Sequence, residues 1–384
     1  TGRWRVELRR SNENSITLTA GMETTRFELF PGEKVRSPRI IILIKEGDTW
    51  ESNNLFRQLI YKYYVPKRNG NELLPVAFCN TCFTRGGLWL NECTAENQIS
   101  LIEAYAKLGL EALITDAGWF TGGWPNGAGN WDPDPEKYPL GMQPVAQSAK
   151  EHKMIYGLWF EPERVVAGTG IHQTNPGWCL KSQPGAEGTY LLNFALPEVQ
   201  DYFFNIVKKF MDLPGFRFYR QDFNFADVTP YWQFNDLPHR QGISEIKYFE
   251  GLYAFWDKIR AAWPDCIMEG CAGGGRRIDL EAIARFHIHQ KTDYWFDNEV
   301  DQQSIWGLSQ YLPNVSFVAH LNNLTSYSFH STFAASLCLG WITDVPEFDL
   351  TRGKELLSQY LTFRHLLIGE WYPLLPATRN LTEW

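Results

Sequence analysis

Phe216-Arg217-Phe218-Tyr219-Arg220-Gln221-Asp222-Phe223-Asn224 is a short aromatic run that closes on a carboxylate. Before it, Pro197–Met211 repeats apolar residues at helical spacing, and after it Glu245–Trp263 does the same. A strand set between amphipathic helices is one period of a βαβ pattern. Working outward, the pattern recurs from Pro75 onward, with further helical stretches at Glu96–Leu108 and Gln302–Leu312. The candidate strands end in Asn80, Asp116, Glu161, Asp222, Cys271, Asp293, His320 and Asp344. Eight such units over about 300 residues predict an α/β chain folded as a (β/α)8 TIM barrel, a fold that needs roughly 250. A doubly wound open sheet is the alternative. It would carry a glycine-rich dinucleotide loop after its first strand, and Arg85-Gly86-Gly87 does not supply one.

Upstream the reading changes to β-structure. Trp4–Leu8 and Ser15–Thr19 alternate, Thr24–Leu29 precedes a Pro31-Gly32 turn, and Ile40–Ile44 is an apolar run. These predict the C-terminal part of a β-sandwich domain. Leu55, Leu59, Ile60 and Tyr63 share a helical face that Pro66 ends, and Lys67–Leu74 reads as a linker. The expected division is therefore 1–66 for the sandwich end with its connecting helix, and 67–384 for the barrel. The chain opens at Thr1-Gly2-Arg3-Trp4 without Met and stops in a polar stretch after Pro376, which reads as a piece of a longer protein.

The 384 residues are 44% apolar and 15% aromatic, enough to build a large core and to exclude disorder as the main state. Net charge is −8 with no basic block, which argues against nucleic-acid and anionic-membrane partners. No apolar run reaches the roughly 18 residues that span a bilayer. Seven cysteines say nothing of compartment. Cys79 and Cys82 have half-zinc spacing without a second pair, and His287 and His289 lack a third ligand, so buried thiols and core histidines are expected. No metal and no cofactor are predicted.

In a barrel the strand ends share one mouth. An acidic mouth among Trp119, Trp124, Trp131, Trp159, Tyr219, Tyr294 and Trp295 suits a sugar, whose C–H faces stack on rings while its hydroxyls take carboxylates. Asp222, beside Arg220, is expected to stay ionised as a nucleophile must; the alternative is a helix-capping role. Asp293, beside Tyr294 and Trp295, is expected to be desolvated and protonated as a general acid, with Asp297, Glu299 and Asp301 as competitors. Two carboxylates in unlike surroundings form the acid/base pattern of a glycosidase.

Five ordered motifs carry a resemblance: Thr115–Phe120, Gly157–Glu163, Tyr219–Asn224, Gly270–Arg277 and Thr292–Tyr294. Together they resemble the second- to sixth-strand motifs of the melibiase-type α-galactosidases, glycoside hydrolase family 36. The resemblance, over about residues 15 to 380, implies an N-terminal β-supersandwich, a (β/α)8 barrel and a small C-terminal β domain, of which the last lies outside this chain. It also implies metal-free retaining hydrolysis of terminal α-galactosides on oligosaccharides or glycoconjugates, with Asp222 as nucleophile and Asp293 as acid/base. By the same resemblance Asp116 grips the C4/C6 side, Trp119 lies beside it, and Arg220 stands where many members have Lys. Trp131, Trp159 and Asn224 belong to the same substrate-binding set. Cys271 and Gly274 lie against the C2 substituent, and Glu163, Arg240 and Arg277 are supporting charges, Arg277 being included in the substrate set.

Three residues depart from the family pattern. Ala117 replaces a second Asp, Cys82 replaces a Trp, and Asn130 replaces an Asp before Trp131. All three touch sugar recognition. Galactose leads, with N-acetylgalactosamine, galactosamine and galactosyl transfer as alternatives. A metal-assisted barrel enzyme and a non-catalytic carbohydrate-binding protein are the rival readings. Compartment stays undetermined, and self-association into a homo-oligomer stays open.

Overall fold

The structure is a computed structural model that describes residues 2–85 and 89–375. Gly86 and Gly87 of the weighed dinucleotide loop, and the stretch from Pro376, lie outside the described residues. Eight parallel strands close into a barrel: β1 Ala77–Asn80, β2 Ala112–Thr115, β3 Ile155–Phe160, β4 Phe216–Gln221, β5 Ile267–Gly270, β6 Ile288–Gln290, β7 Phe317–Leu321 and β8 Ser336–Leu339. Each pairs with the next in chain order, and β8 closes on β1 through Cys338 and Phe78.

The helices form as the sequence patterning requires. Pro197–Met211 starts with Pro in its first turn beside Glu198 and ends in Lys208 and Lys209, so both ends suit the helix dipole. Val199, Phe203, Ile206, Val207 and Phe210 bury one stripe against the sheet. Glu245–Trp263 corresponds to a helix over Ile243–Ala262, and Gln302–Leu312 to one over Asn298–Leu308.

Alternation along each strand sorts the barrel interior into layers. Phe78, Ile114, Phe218, Ile267, Ile288 and Val318 belong to one apolar cluster. Two residues further along lie Asn80, Asp116, Arg220, Glu269, Gln290 and His320, all buried. The interior is thus an apolar floor under a polar ceiling. Gly157 permits β3 to approach β4, because a Cβ there would meet Phe218 at 2.5 Å.

Several strand ends fall elsewhere than predicted. His320 lies inside β7, Asp293 three residues past β6, and Asp344 five past β8, where it takes both oxygens to Arg85 at 2.6 Å. The N-terminal β-structure is only partly formed. Trp4–Asn12 and Ser15–Met22 make a hairpin, and Arg26–Phe27 pairs with Arg240–Gln241. Ile40–Ile44 is not a strand: it has no ladder partner among the described residues, and Ile42 and Ile44 are exposed. The Lys67–Leu74 linker is a tight turn pinned to the barrel, with Asn69 N–H on the Pro264 carbonyl at 2.6 Å and Arg68 Nε on that of Asp265 at 2.7 Å.

Candidate active site

Asp222 is the first residue after β4, and its backbone N–H donates to the Phe160 carbonyl of β3. Its Oδ1 accepts from the N–H groups of Phe223 at 2.7 Å and Gly273 at 3.1 Å; its Oδ2 accepts from Trp159 Nε1 at 3.2 Å. Burial alone would raise its pKa. The Arg220 charge, with side-chain donors from Asn224 and Cys271 and the Gly273 amide, outweighs burial and holds it below the ordinary carboxylate value. Donors from β3, β4 and the β5 loop therefore converge on one ionised carboxylate.

Asp293 is displaced the other way. Surrounding protein raises its pKa, the Asp222 charge adds to that, and Arg220 and Arg276 only partly oppose it. The cause differs from the expected aromatic enclosure: Tyr294 is 72% exposed, Trp295 is 39% exposed and edge-on to Phe83, and Asp293 itself is open to solvent. Its competitors are occupied otherwise. Asp297 caps the helix that follows by accepting from Glu299 and Val300 N–H groups, and Asp301 is buried against Lys291. Glu299 is exposed in the first turn of that helix.

A buried polar belt runs beneath these groups. Asn80 Nδ2 donates to Asp116 Oδ2 at 2.6 Å, and Arg220 Nε lies 3.5 Å from the same oxygen. Arg220 Nη1 contacts Glu269 Oε1, from the register position directly across on β5. Burial raises the Asp116 pKa against Arg220 and the Asn80 and Ala117 donors. Cys82 sits in the field of Asp116, Arg220, Asp222 and Asp293, and Ala117 is buried, so two of the departures border this belt. Asn130, the third, ties loops together through Thr121 and Gly170.

Other substrate candidates fall behind the mouth. Trp119 is wholly buried, its Nε1 on the Trp159 carbonyl at 2.8 Å, so it supports Trp159 rather than a ligand. Trp131 packs against Trp119, Phe120, Phe160 and Phe203. Arg277 is likewise engaged by protein groups. Its guanidinium forks onto Glu163 at 2.6 and 2.8 Å and stacks 3.8 Å from the Phe223 centroid, so no face is left for sugar. Gly274 lies close to neighbouring backbone: a Cβ there would meet the Asp293 amide nitrogen at 3.1 Å and Thr292 Cα at 3.2 Å. Its positive φ and missing side chain let the β5 loop lie directly against the segment bearing Asp293. Arg240 pairs with Glu33 near the N-terminal segment, away from the mouth.

Three groups at the site went unnamed as site residues in the sequence reading. Gly273 supplies an N–H to Asp222. Arg276 binds the carbonyls of Ala272, Phe223 and Phe225, tying the β4 and β5 loops. Glu269 is inside a strand, where its register opposite Arg220 is the signal. Among the described residues no cluster of three His, Cys, Asp or Glu side chains is arranged to hold a metal ion, and no helix is long and apolar enough to cross a membrane. His287 and His289 are buried, and desolvation pushes them down to about 3 and about 4, as neutral core rings.

A family model described as Melibiase matches residues 50–335. α-Galactosidase C of Emericella nidulans is 24% identical over 353 residues, covering 85% of this chain and 44% of that protein. α-Galactosidase Mel36A of Lactobacillus acidophilus is 22% identical over 412 residues, covering 100% of this chain and 54% of that protein. Among solved structures, a substituted form of the glycoside hydrolase family 36 α-galactosidase AgaA of Geobacillus stearothermophilus, in complex with stachyose, superposes with a TM-score of 0.74. It is 21% identical, and the match covers 83% of this chain and 46% of that one. The chain spans about half the length of the curated relatives it matches.

Proposed function

The chain belongs to the melibiase family, and from that premise we propose that it carries the catalytic barrel of a retaining exo-α-galactosidase acting on terminal α-galactosides. The observation that carries this reading is the opposite displacement of two carboxyls at one barrel mouth, Asp222 down and Asp293 up. In the proposed cycle an Asp222 oxygen attacks the anomeric carbon while Asp293 gives its proton to the departing glycosidic oxygen. Asp293, now a carboxylate, then takes a proton from water, which attacks the same carbon and releases Asp222. The relative bound to stachyose supports an oligosaccharide bearing terminal galactose as substrate. Asp116 and Arg220 are the groups proposed to face the sugar hydroxyls. We read residues 1–66 as the end of a preceding β domain and 67–384 as the barrel domain.

The test is Asp222→Ala with and without azide on an aryl α-galactoside. Turnover should vanish, and azide should partly restore it by attacking from the vacated side, giving the β-galactosyl azide. A variant that hydrolyses at a near-normal rate overturns the assignment. A parallel screen of aryl glycosides of galactose, N-acetylgalactosamine, galactosamine and glucose settles the sugar.

A further inference from the structure

We infer that Glu269 is a positioning residue whose task is to hold the Arg220 guanidinium away from the nucleophile. This rests on the reading of Asp222 as nucleophile. Arg220 is 4% exposed at its side chain and lies among three carboxyl groups: Glu269 on β5, Asp116 after β2 and Asp222 directly after its own strand. A guanidinium is a rigid fork that takes a carboxylate through two parallel N–H groups when it can. A fork on Asp222 would add donors to oxygens that already accept from Phe223, Gly273 and Trp159, leaving no lone pair to attack a carbon. What prevents it is Glu269. Its Oε1 takes Nη1 at the register position straight across the ladder, while Nε stays 3.5 Å from Asp116. Nε is buried and makes no hydrogen bond.

Glu269 itself cannot reach substrate. It is fully buried within β5, one layer below Cys271, and its Oε2 has no hydrogen-bond partner. A buried carboxylate oxygen left unpaired is a poor device for stability alone, since burial of an ion pair seldom repays its desolvation.

The experiment compares E269Q, R220K and the double variant in steady-state hydrolysis of an aryl α-galactoside, with Asp222→Ala as control. In E269Q the charge that anchors the guanidinium is gone, and kcat should fall about 10- to 100-fold, the range of a hydrogen bond to a charged group, while KM changes little. A lysine offers a point charge without a fork, so E269Q should cost little further kcat when it is added to R220K. A purely structural Glu269 would lower the Tm and leave kcat per folded molecule unchanged by E269Q in both backgrounds; that result overturns the inference. Should E269Q fail to fold, E269D decides it, because it keeps the buried charge and withdraws its oxygen from Nη1. The inference expects kcat to fall about 10-fold with KM little changed, and a kcat per folded molecule equal to wild type refutes it. If Asp222→Ala retains activity, the proposed function fails and this inference with it; an inactive Asp222→Ala beside an unperturbed E269Q sinks the inference alone.

Discussion

Cys271→Ala separates two roles that meet in one thiol. Cys271 follows β5, its N–H donates to the Gln221 carbonyl at 2.7 Å, and its thiol is among the groups that hold the Asp222 pKa down. The family resemblance also implies that it borders the C2 position of the sugar. Removing the sulfur enlarges the pocket by one heavy atom, which changes discrimination by about 1–3 kcal/mol, so the ratio of α-N-acetylgalactosaminide to α-galactoside should rise by roughly 10- to 200-fold. It also deletes a donor to the nucleophile. A thiol is a weak donor, and a net loss of about 1 kcal/mol slows both substrates by roughly 5-fold. The sign follows from the donor's preference. It stabilises the ionised form, so its removal raises the Asp222 pKa and moves the acidic limb of kcat/KM to higher pH. Cys271→Ser keeps a donor of similar size and should leave both limb and ratio near wild type. The assay is kcat/KM for both aryl glycosides across pH on the three proteins. An unmoved limb and ratio in Cys271→Ala, or a wild type that already prefers the acetylated sugar, would refute the placement of this thiol.

Asp293→Ala should lose far more activity on natural glycosides than on activated aryl galactosides, because only a basic leaving oxygen needs the proton; equal losses by steady-state kinetics move the acid role elsewhere. Arg277→Met leaves Glu163 buried with one cation gone and should destabilise the fold by about 3–5 kcal/mol, read by chemical denaturation, since one partner of a buried pair is removed. Burial pushes Glu245 up to about 7 against the Arg3 amide and charge, so the folded state holds its proton more tightly than the unfolded chain. That contribution is intact in acid and is lost as pH rises from the ordinary glutamate value toward 7. Glu245→Gln should therefore raise Tm at pH 8 and leave it unchanged near pH 4; an equal Tm at pH 8 contradicts the sign.

The repeat was legible because each strand pairs with its chain neighbour and each helix carries its own apolar stripe; Pro197–Met211 is found with both its ends as read. Ile40–Ile44 misled because a strand needs a partner that local patterning does not provide. Trp119 and Arg277 illustrate a second limit. A motif says which residues are near a site, but whether an indole or guanidinium faces the mouth depends on what packs behind it, here Trp159 for one and Glu163 for the other. Glu269 was overlooked although its signal was present: Phe218-Arg220-Asp222 and Ile267-Glu269-Cys271 alternate in step on neighbouring strands.

The contact of Gly274 with the Asp293 segment has a consequence for how this barrel tolerates change. The two proposed reacting carboxylates come from strands that are not neighbours, β4 and β6, and β5 with its loop is the spacer between them. Gly273 grips the first by its amide, and Gly274 abuts the backbone of the second. The β5 loop thus works as a gauge block, and its thickness sets the gap between the two carboxylates. A methyl group added at Gly274 would press on the Asp293 amide nitrogen at 3.1 Å and alter that gap without touching either carboxylate.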